Sequence, residues 1–276
     1  MGELVDDSLQ RLDENNHESI ARSIHETRKN CKKGRALARL VRPALGSDYK
    51  EINHLFRDAA RCLSPIRDPR AILNSFDAHV ASAPGMTGVS DVRAVLIRRS
   101  EDATSAVLGP ERHRLEAASE LLETVGDEIP SPGIGDEFTP MKRGLEKTYK
   151  RARARLKEVR KTPRENTFHE WRKRVKYLWY EVRLLRSAAP SILNPLADSL
   201  HDLSNVLGDA HDLAALIDQV EAIEGIPNPE LEAVQHIVGK QKRKLERRAI
   251  SLGRRHFVET PSAFVTRMEG YWMAWR

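Results

Sequence analysis

Apolar residues recur along most of this chain with the period of an α-helix rather than that of a strand. The clearest stretch runs from near Asn15 or Asn16 to Arg42. With His25 set at zero, Ile24, Cys31, Ala38 and Val41 fall between about 160° and 260°, on one apolar face. Arg28, Lys29, Lys32 and Arg39 fall at about 300°, 40°, 340° and 320°, on a neighbouring face that is wholly basic. The spacing predicts an amphipathic helix that Pro43 and then Gly46 terminate. A second stretch repeats the pattern, with Phe168, Trp171, Val175 and Val182 apolar and His169, Arg172, Lys173, Lys176 and Arg183 basic. Pro163 and Asn166 mark its start and Pro190 its end. Further helical windows are Asp48–Leu63, Arg70–Val80, Ser90–Val107, Pro110–Val125, Pro140–Lys161, Pro195–Leu207, Asp209–Glu224, Pro229–Gly253 and Pro261–Trp275. Pro84-Gly85, Gly109-Pro110 and Pro227-Asn228-Pro229 punctuate them. No period-two run of β-branched residues is long enough to nucleate a sheet, so the chain reads as all-α.

The two amphipathic stretches are related by a constant offset. Moving from His25 to His169 pairs Glu26 with Glu170, Arg28 with Arg172, Lys29 with Lys173 and Lys32 with Lys176. Without any gap the same register pairs Arg39 with Arg183, Asp58 with Asp202, Leu63 with Leu207 and Asp68 with Asp212. It ends on Arg99 with Arg243 and Leu108-Gly109 with Leu252-Gly253. The retained positions are mostly cationic, whereas apolar ones drift, as packing allows. The chain therefore reads as an internal duplication: a first half over 1–129, a linker over 130–137 and a second half over 138–276. The linker is read from the breaker chemistry of Pro130-Ser131-Pro132-Gly133-Ile134-Gly135.

Charge sharpens this picture. The 276 residues carry a formal net charge of +6, unevenly spread. Met141–Arg186 holds 17 Lys/Arg against 5 Asp/Glu, and Asn16–Leu45 holds 8 Lys/Arg against Glu18 and Glu26, which leaves the rest of the chain acidic. Two basic segments on an acidic body suit a polyanion. No stretch approaches eighteen uncharged apolar residues, and the start lacks the basic-then-apolar layout of a signal peptide. A soluble, cytoplasmic protein with reduced thiols at Cys31 and Cys62 is expected.

Cations at i, i+3, i+4 and i+7 repel one another by roughly a few tenths of a kcal/mol per pair. Two such stripes in the same phase call for an anion that offsets the repulsion; Arg offers a planar fork for phosphate and Lys a mobile point charge. The alternative is a solvated face whose Glu26 and Glu170 pair locally. Arg57, Arg61, Arg98/Arg99 and Lys242/Arg243 join the anion reading as further cations. His25-Glu26 and His169-Glu170 lack the second His of a zinc-protease helix. His201-Asp202 and His211-Asp212 bring a metal-dependent phosphohydrolase into view, but Arg57-Asp58 and Arg67-Asp68 stand at those places in the first half. Asp68 and Asp212 are read as helix caps. Nucleic acid is the stronger competitor, although the stripes offer only phosphate-grade contacts and Trp171, Tyr177, Trp179 and Tyr180 read as core.

The duplicated His-Glu-x-x-Arg-Lys-x-x-Lys at His25 and His169 resembles the signature of the CHAD family, the conserved histidine α-helical domain. Leu-Ser-Pro-Ile-Arg-Asp at Leu63, Leu-Gly-Asp-Ala-His-Asp at Leu207 and the closing Phe257–Trp272 segment add to the likeness. The resemblance implies two helical bundles related by a pseudo-twofold, with the signature helices lining a basic central groove or pore. It also implies non-catalytic binding of inorganic polyphosphate and association with polyphosphate granules, with no cofactor and no metal. By motif it assigns ligand roles to His25, Arg28, Lys29, Lys32, His169, Arg172, Lys173 and Lys176, extended by Arg35, Arg39 and Arg183. Trp179 stands opposite Arg35 and Asn205 opposite Arg61.

Overall fold

A computed structural model describes residues 1–13, 17–81, 89–129, 137–225 and 228–276, and every regular element among them is helical. In chain order these are α1 (Gly2–Asp13), α2 (His17–Leu40), α3 (Arg42–Leu45), α4 (Tyr49–Cys62), α5 (Ser64–Phe76) and α6 (Ser90–Leu108). They continue as α7 (His113–Glu128), α8 (Thr139–Lys161), α9 (Glu165–Leu185), α10 (Pro190–Glu221), α11 (Asn228–His256) and α12 (Pro261–Trp275). A π-helical turn at Asp77–Ala81 prolongs α5, and a 3₁₀ turn at Arg186–Ala188 joins α9 to α10. The expected linker at 130–137, apart from residue 137, lies outside the described residues, and so does Pro84-Gly85.

Three boundaries differ from the sequence reading, each for a local reason. Pro43 does not end the first basic helix; α2 stops at Leu40, and Pro43 occupies the first turn of the short α3, where its missing N–H costs nothing. In the first half, Pro65 lacks the N–H that would bond back to Arg61, so the chain breaks at Leu63 as the sequence reading has it, but it restarts at once as α5 from Ser64 and not from Arg70. In the second half, the corresponding position is Asp209, and α10 runs unbroken through Gly208 where two helices were expected. Helix α1 was not anticipated, although its buried Val5, Ser8 and Leu12 follow helical spacing.

The apolar residues that set the phase of α2 and α9 are indeed inside. Ile24, Cys31 and Ala38 are fully buried, as are Trp171, Val175 and Val182. Helix α2 packs against α1, α4, α8 and α9, and α9 against α8 and α10, so the two basic helices lie side by side in the middle of the molecule. Buried apolar residues form two clusters, and each draws on both halves of the chain. The larger joins Ile20, Phe56 and Leu122 to Tyr149, Trp171 and Phe264. The smaller pairs Phe76, Val92 and Leu96 from α5 and α6 with Leu213, Leu216, Val234 and Val238 from α10 and α11. At the C-terminal end, Thr260 caps α12 by accepting the Ala263 N–H at 3.2 Å.

One close approach fixes the position of α8. A Cβ at Gly144 would lie 2.1 Å from the Leu40 carbonyl oxygen and 2.6 Å from that of Arg39, so only glycine lets α8 cross the end of α2 at this depth.

Candidate functional site

Burial of the apolar stripes turns the basic faces of α2 and α9 toward one cleft of about 430 Å³. Arg28, Lys32 and Arg35 enter it from α2, and His169, Arg172, Lys173 and Lys176 from α9. Arg57 and Arg61 of α4 complete the basic wall. Residues around the α4–α5 joint (Ala60, Ser64, Asp68) and His211 and Asp212 of α10 close it, with Tyr177 also lining the space. Both aspartates lie within helices on the cleft wall, which corrects their reading as caps.

Part of the charge is used within the protein. The Arg28 guanidinium donates to the Ala60 carbonyl at 2.6 Å and to the Ser64 hydroxyl, and lies 3.7 Å from Asp68, so it braces the α4–α5 joint. Arg172 takes the same place against α10, where its Nε and Nη2 lie 3.6 and 3.7 Å from a Cβ built on Gly208. Lys29 donates to Glu26 at 2.9 Å, and Lys173 pairs with Glu170 in the same i, i+3 relation. Arg57 holds Asp58 through two hydrogen bonds of 2.8 and 2.7 Å, and Arg35 donates to Asn53 at 3.3 Å. The local Glu–Lys pairing considered from sequence is therefore real, and it accounts for only part of the stripe. Eight Arg and Lys side chains line the cleft against Asp68 and Asp212.

The histidines separate. His25 is exposed at the head of its stripe and does not line the cleft. His169 lies inside, its ring 4.7 Å from that of His211, and the Nδ1 of each is buried without a hydrogen-bond partner among the described residues. Burial, reinforced by Lys173 and Arg172, holds His169 below the ordinary imidazole range. Burial, followed by Arg172 and His169, pushes His211 down to about 4. A neutral pair of rings thus sits among permanent cations.

Other candidates are placed elsewhere. Arg39 stacks over the Tyr177 ring at 4.1 Å, just beyond the cleft. Arg99 donates to the Gln219 and Ala222 carbonyls at 3.0 and 3.2 Å, which satisfies orphan groups at the end of α10, away from the cleft. Arg183 lies in a separate depression with Trp179, Arg186 and His201, and Arg243 is exposed on α11. Sequence reasoning missed Ser64, Asp68, Asp212, Tyr177 and His211 as cleft residues, and weighed His211 only as half of a metal dyad that it set aside. Tyr177 was legible: it falls at about 80° on the helical wheel, beside Lys173 at about 40°. His201 instead stacks on Trp179 at 4.2 Å, and no three His, Cys, Asp or Glu among the described residues are grouped to hold a metal ion.

Fold and site together define an all-helical protein whose two basic helices turn toward a single cleft. The chain belongs to the CHAD family: the family model of the CHAD domain matches residues 3–221, which include both signatures and stop short of the Phe257–Trp272 segment. No curated protein and no solved structure matches it. No helix among the described residues is long and apolar enough to cross a membrane.

Proposed function

We propose that the cleft binds inorganic polyphosphate without turning it over, and that the two halves are related copies that face each other across it. The observation that carries this reading is the arrival of Arg28, Lys32 and Arg35 from one half and His169, Arg172, Lys173 and Lys176 from the other at the same cavity. The repeat register supports the second part. The offset that aligns the signatures lays α2 on α9 and α4 with α5 on α10, and Arg28 meets Ser64 as Arg172 meets Gly208.

Phosphates without bases suit the inventory best. The rings of the second signature helix, Trp171, Tyr177, Trp179 and Tyr180, are all at most 8% exposed, which leaves little face there for nucleobases to stack on. In the cell such binding would draw the protein to polyphosphate granules.

Titration with long-chain polyphosphate, single-stranded DNA at equal phosphate, and orthophosphate at two ionic strengths tests the reading. Polyphosphate should bind tightest. If all eight cleft Arg and Lys meet phosphates, the slope of log affinity against log salt should approach roughly −6, by analogy with single-stranded nucleic acids. Lys32→Glu with Lys176→Glu should weaken binding at least about tenfold with helicity unchanged. Unchanged affinity overturns the proposal, as does phosphate release from polyphosphate in Mg²⁺ or Mn²⁺.

A further inference from the structure

Beside the cleft, around Arg39 and the Tyr177 ring, lies a second group of cations that the signature does not include. Arg35 on the cleft wall is 6.0 Å from the centre of that ring, and Arg39, one turn further along α2, is 4.1 Å from it. Helix α8 meets α2 here at Gly144, against the carbonyls of Arg39 and Leu40. Lys147 and Arg151 follow Gly144 at i+3 and i+7, so they rise from the same face of α8 as that contact. Arg174 comes from α9 and Arg42 from α3, which also packs on α8.

These cations feel one another. Burial, then Arg42 and Arg151, lowers Lys147, and burial, then Arg151, lowers Arg174, with Arg39 contributing further. Their carboxylate supply is thin. Glu170 reaches Arg174 at 3.7 Å, and no salt bridge among the described residues engages Arg39, Arg42, Lys147 or Arg151. Glu181 is fully buried near Arg39 and is held well above the usual carboxylate range by that burial, so it supplies little negative charge. Arg39 donates through Nη1 to the Arg35 carbonyl at 2.9 Å and Arg42 stacks over the Tyr49 ring at 4.5 Å, while the Nε atoms of Arg39 and Arg174 are buried with no hydrogen-bond partner among the described residues. Five cations with one carboxylate pairing among them, next to a cation-lined cleft, have the chemistry of a further phosphate subsite.

We infer that the phosphate-binding surface continues from the cleft, over the Tyr177 ring, into a bay formed by Arg39, Arg42, Lys147, Arg151 and Arg174. This rests on the reading of the cleft as a polyphosphate site and extends it: the cleft takes any short polyphosphate, and the bay engages only chains long enough to pass Tyr177. The protein thereby prefers long chains through α8, outside the signature.

The test compares tripolyphosphate with long-chain polyphosphate on the full protein and on Lys147→Glu/Arg151→Glu. Both side chains are exposed, and circular dichroism checks that the variant keeps its helicity. The variant should bind tripolyphosphate within about twofold of the parent, while its affinity for the long chain falls about tenfold and its salt slope flattens. Equal affinity of parent and variant for the long chain overturns the inference, as does an equal loss for both ligands. The Lys32→Glu/Lys176→Glu variant separates the two readings. If it loses both ligands while the α8 variant loses neither, the cleft stands and the bay falls. If it loses neither, both fall.

Discussion

Replacing Gly144 by alanine sets two effects of opposite sign against each other. Alanine in a helix interior is favoured over glycine by roughly 1 kcal/mol, because glycine loses more backbone entropy on folding. Against this, the new Cβ would lie 2.1 Å from the Leu40 carbonyl oxygen, 2.6 Å from that of Arg39 and 2.7 Å from the Leu40 carbonyl carbon, where ordinary contact begins at 3.4 Å. All three atoms are main chain, so no side chain can swing aside, and α8 must retreat from α2 by about 1.3 Å. Overpacking of this kind costs roughly 1–3 kcal/mol, and an obstacle made of backbone belongs at the upper end. The net expectation is a loss of about 2 kcal/mol, or a fall in melting temperature of about 4 °C for a chain of this size. Gly270 supplies the control, since a Cβ there meets nothing within 4 Å and only the propensity gain remains. Thermal unfolding followed by circular dichroism should show Gly144→Ala melting below the parent and Gly270→Ala slightly above it. A Gly144→Ala protein that gains as much as Gly270→Ala would refute the close crossing of α2 and α8, and with it the placement of Lys147 and Arg151.

Two further expectations concern buried titratable groups. Glu181 accepts the Thr148 hydroxyl at 2.8 Å and is otherwise enclosed, and burial raises its pKa well above the ordinary value. Above the unfolded-state value near 4.5, the unfolded chain releases a proton that the folded chain keeps, so stability falls by about 1.4 kcal/mol per pH unit until the folded carboxyl ionises. Glu181→Gln removes this dependence, so urea unfolding should show the variant gaining on the parent as pH rises from 5 upward; parallel profiles would mean that the carboxyl is ionised in the fold. For His211, a ring titration by NMR should have its midpoint at about 4 in the free protein and should move upward when polyphosphate neutralises Arg172 and its neighbours. A free-protein midpoint near 6.5 would contradict the burial of the ring against His169.

Much of this arrangement was legible because helical phase follows from apolar spacing alone. Ile24, Cys31 and Ala38 had to face inward, so Arg28 and Lys32 had to lie off that core, whereas Arg35 entered only through the family resemblance. Nothing in one stripe, however, says that another element lies opposite, and the meeting of the two stripes is a property of tertiary packing. The same limit explains Asp68 and Asp212. Short polar residues before a helix usually cap it, and only the break at Leu63 and the unbroken course of α10 place both inside helices on the cleft wall. Arg99 shows the converse: retained in the repeat register, it serves the end of α10 through Gln219 and Ala222. Charge at an aligned position is thus not evidence of a ligand until its neighbours are known.

The stretches paired by the repeat register also differ in a way that would give the proposed anion surface a direction. Arg35 and Arg57 of the first half correspond in register to Trp179 and His201 of the second. The first pair lines the cleft as two cations, whereas the second stacks ring on ring at 4.2 Å. Stacked on Trp179, the His201 ring leaves Arg183 and Arg186 to line a separate depression with Asp198, where a carboxylate already faces them. A linear polyanion bound as proposed would meet continued positive charge toward Arg35, Arg39 and α8, and an aromatic stack with Asp198 among the cations toward Arg183 and Arg186. If the halves are copies as proposed, the exchange of two cations for two rings breaks the symmetry of the proposed surface at these two places.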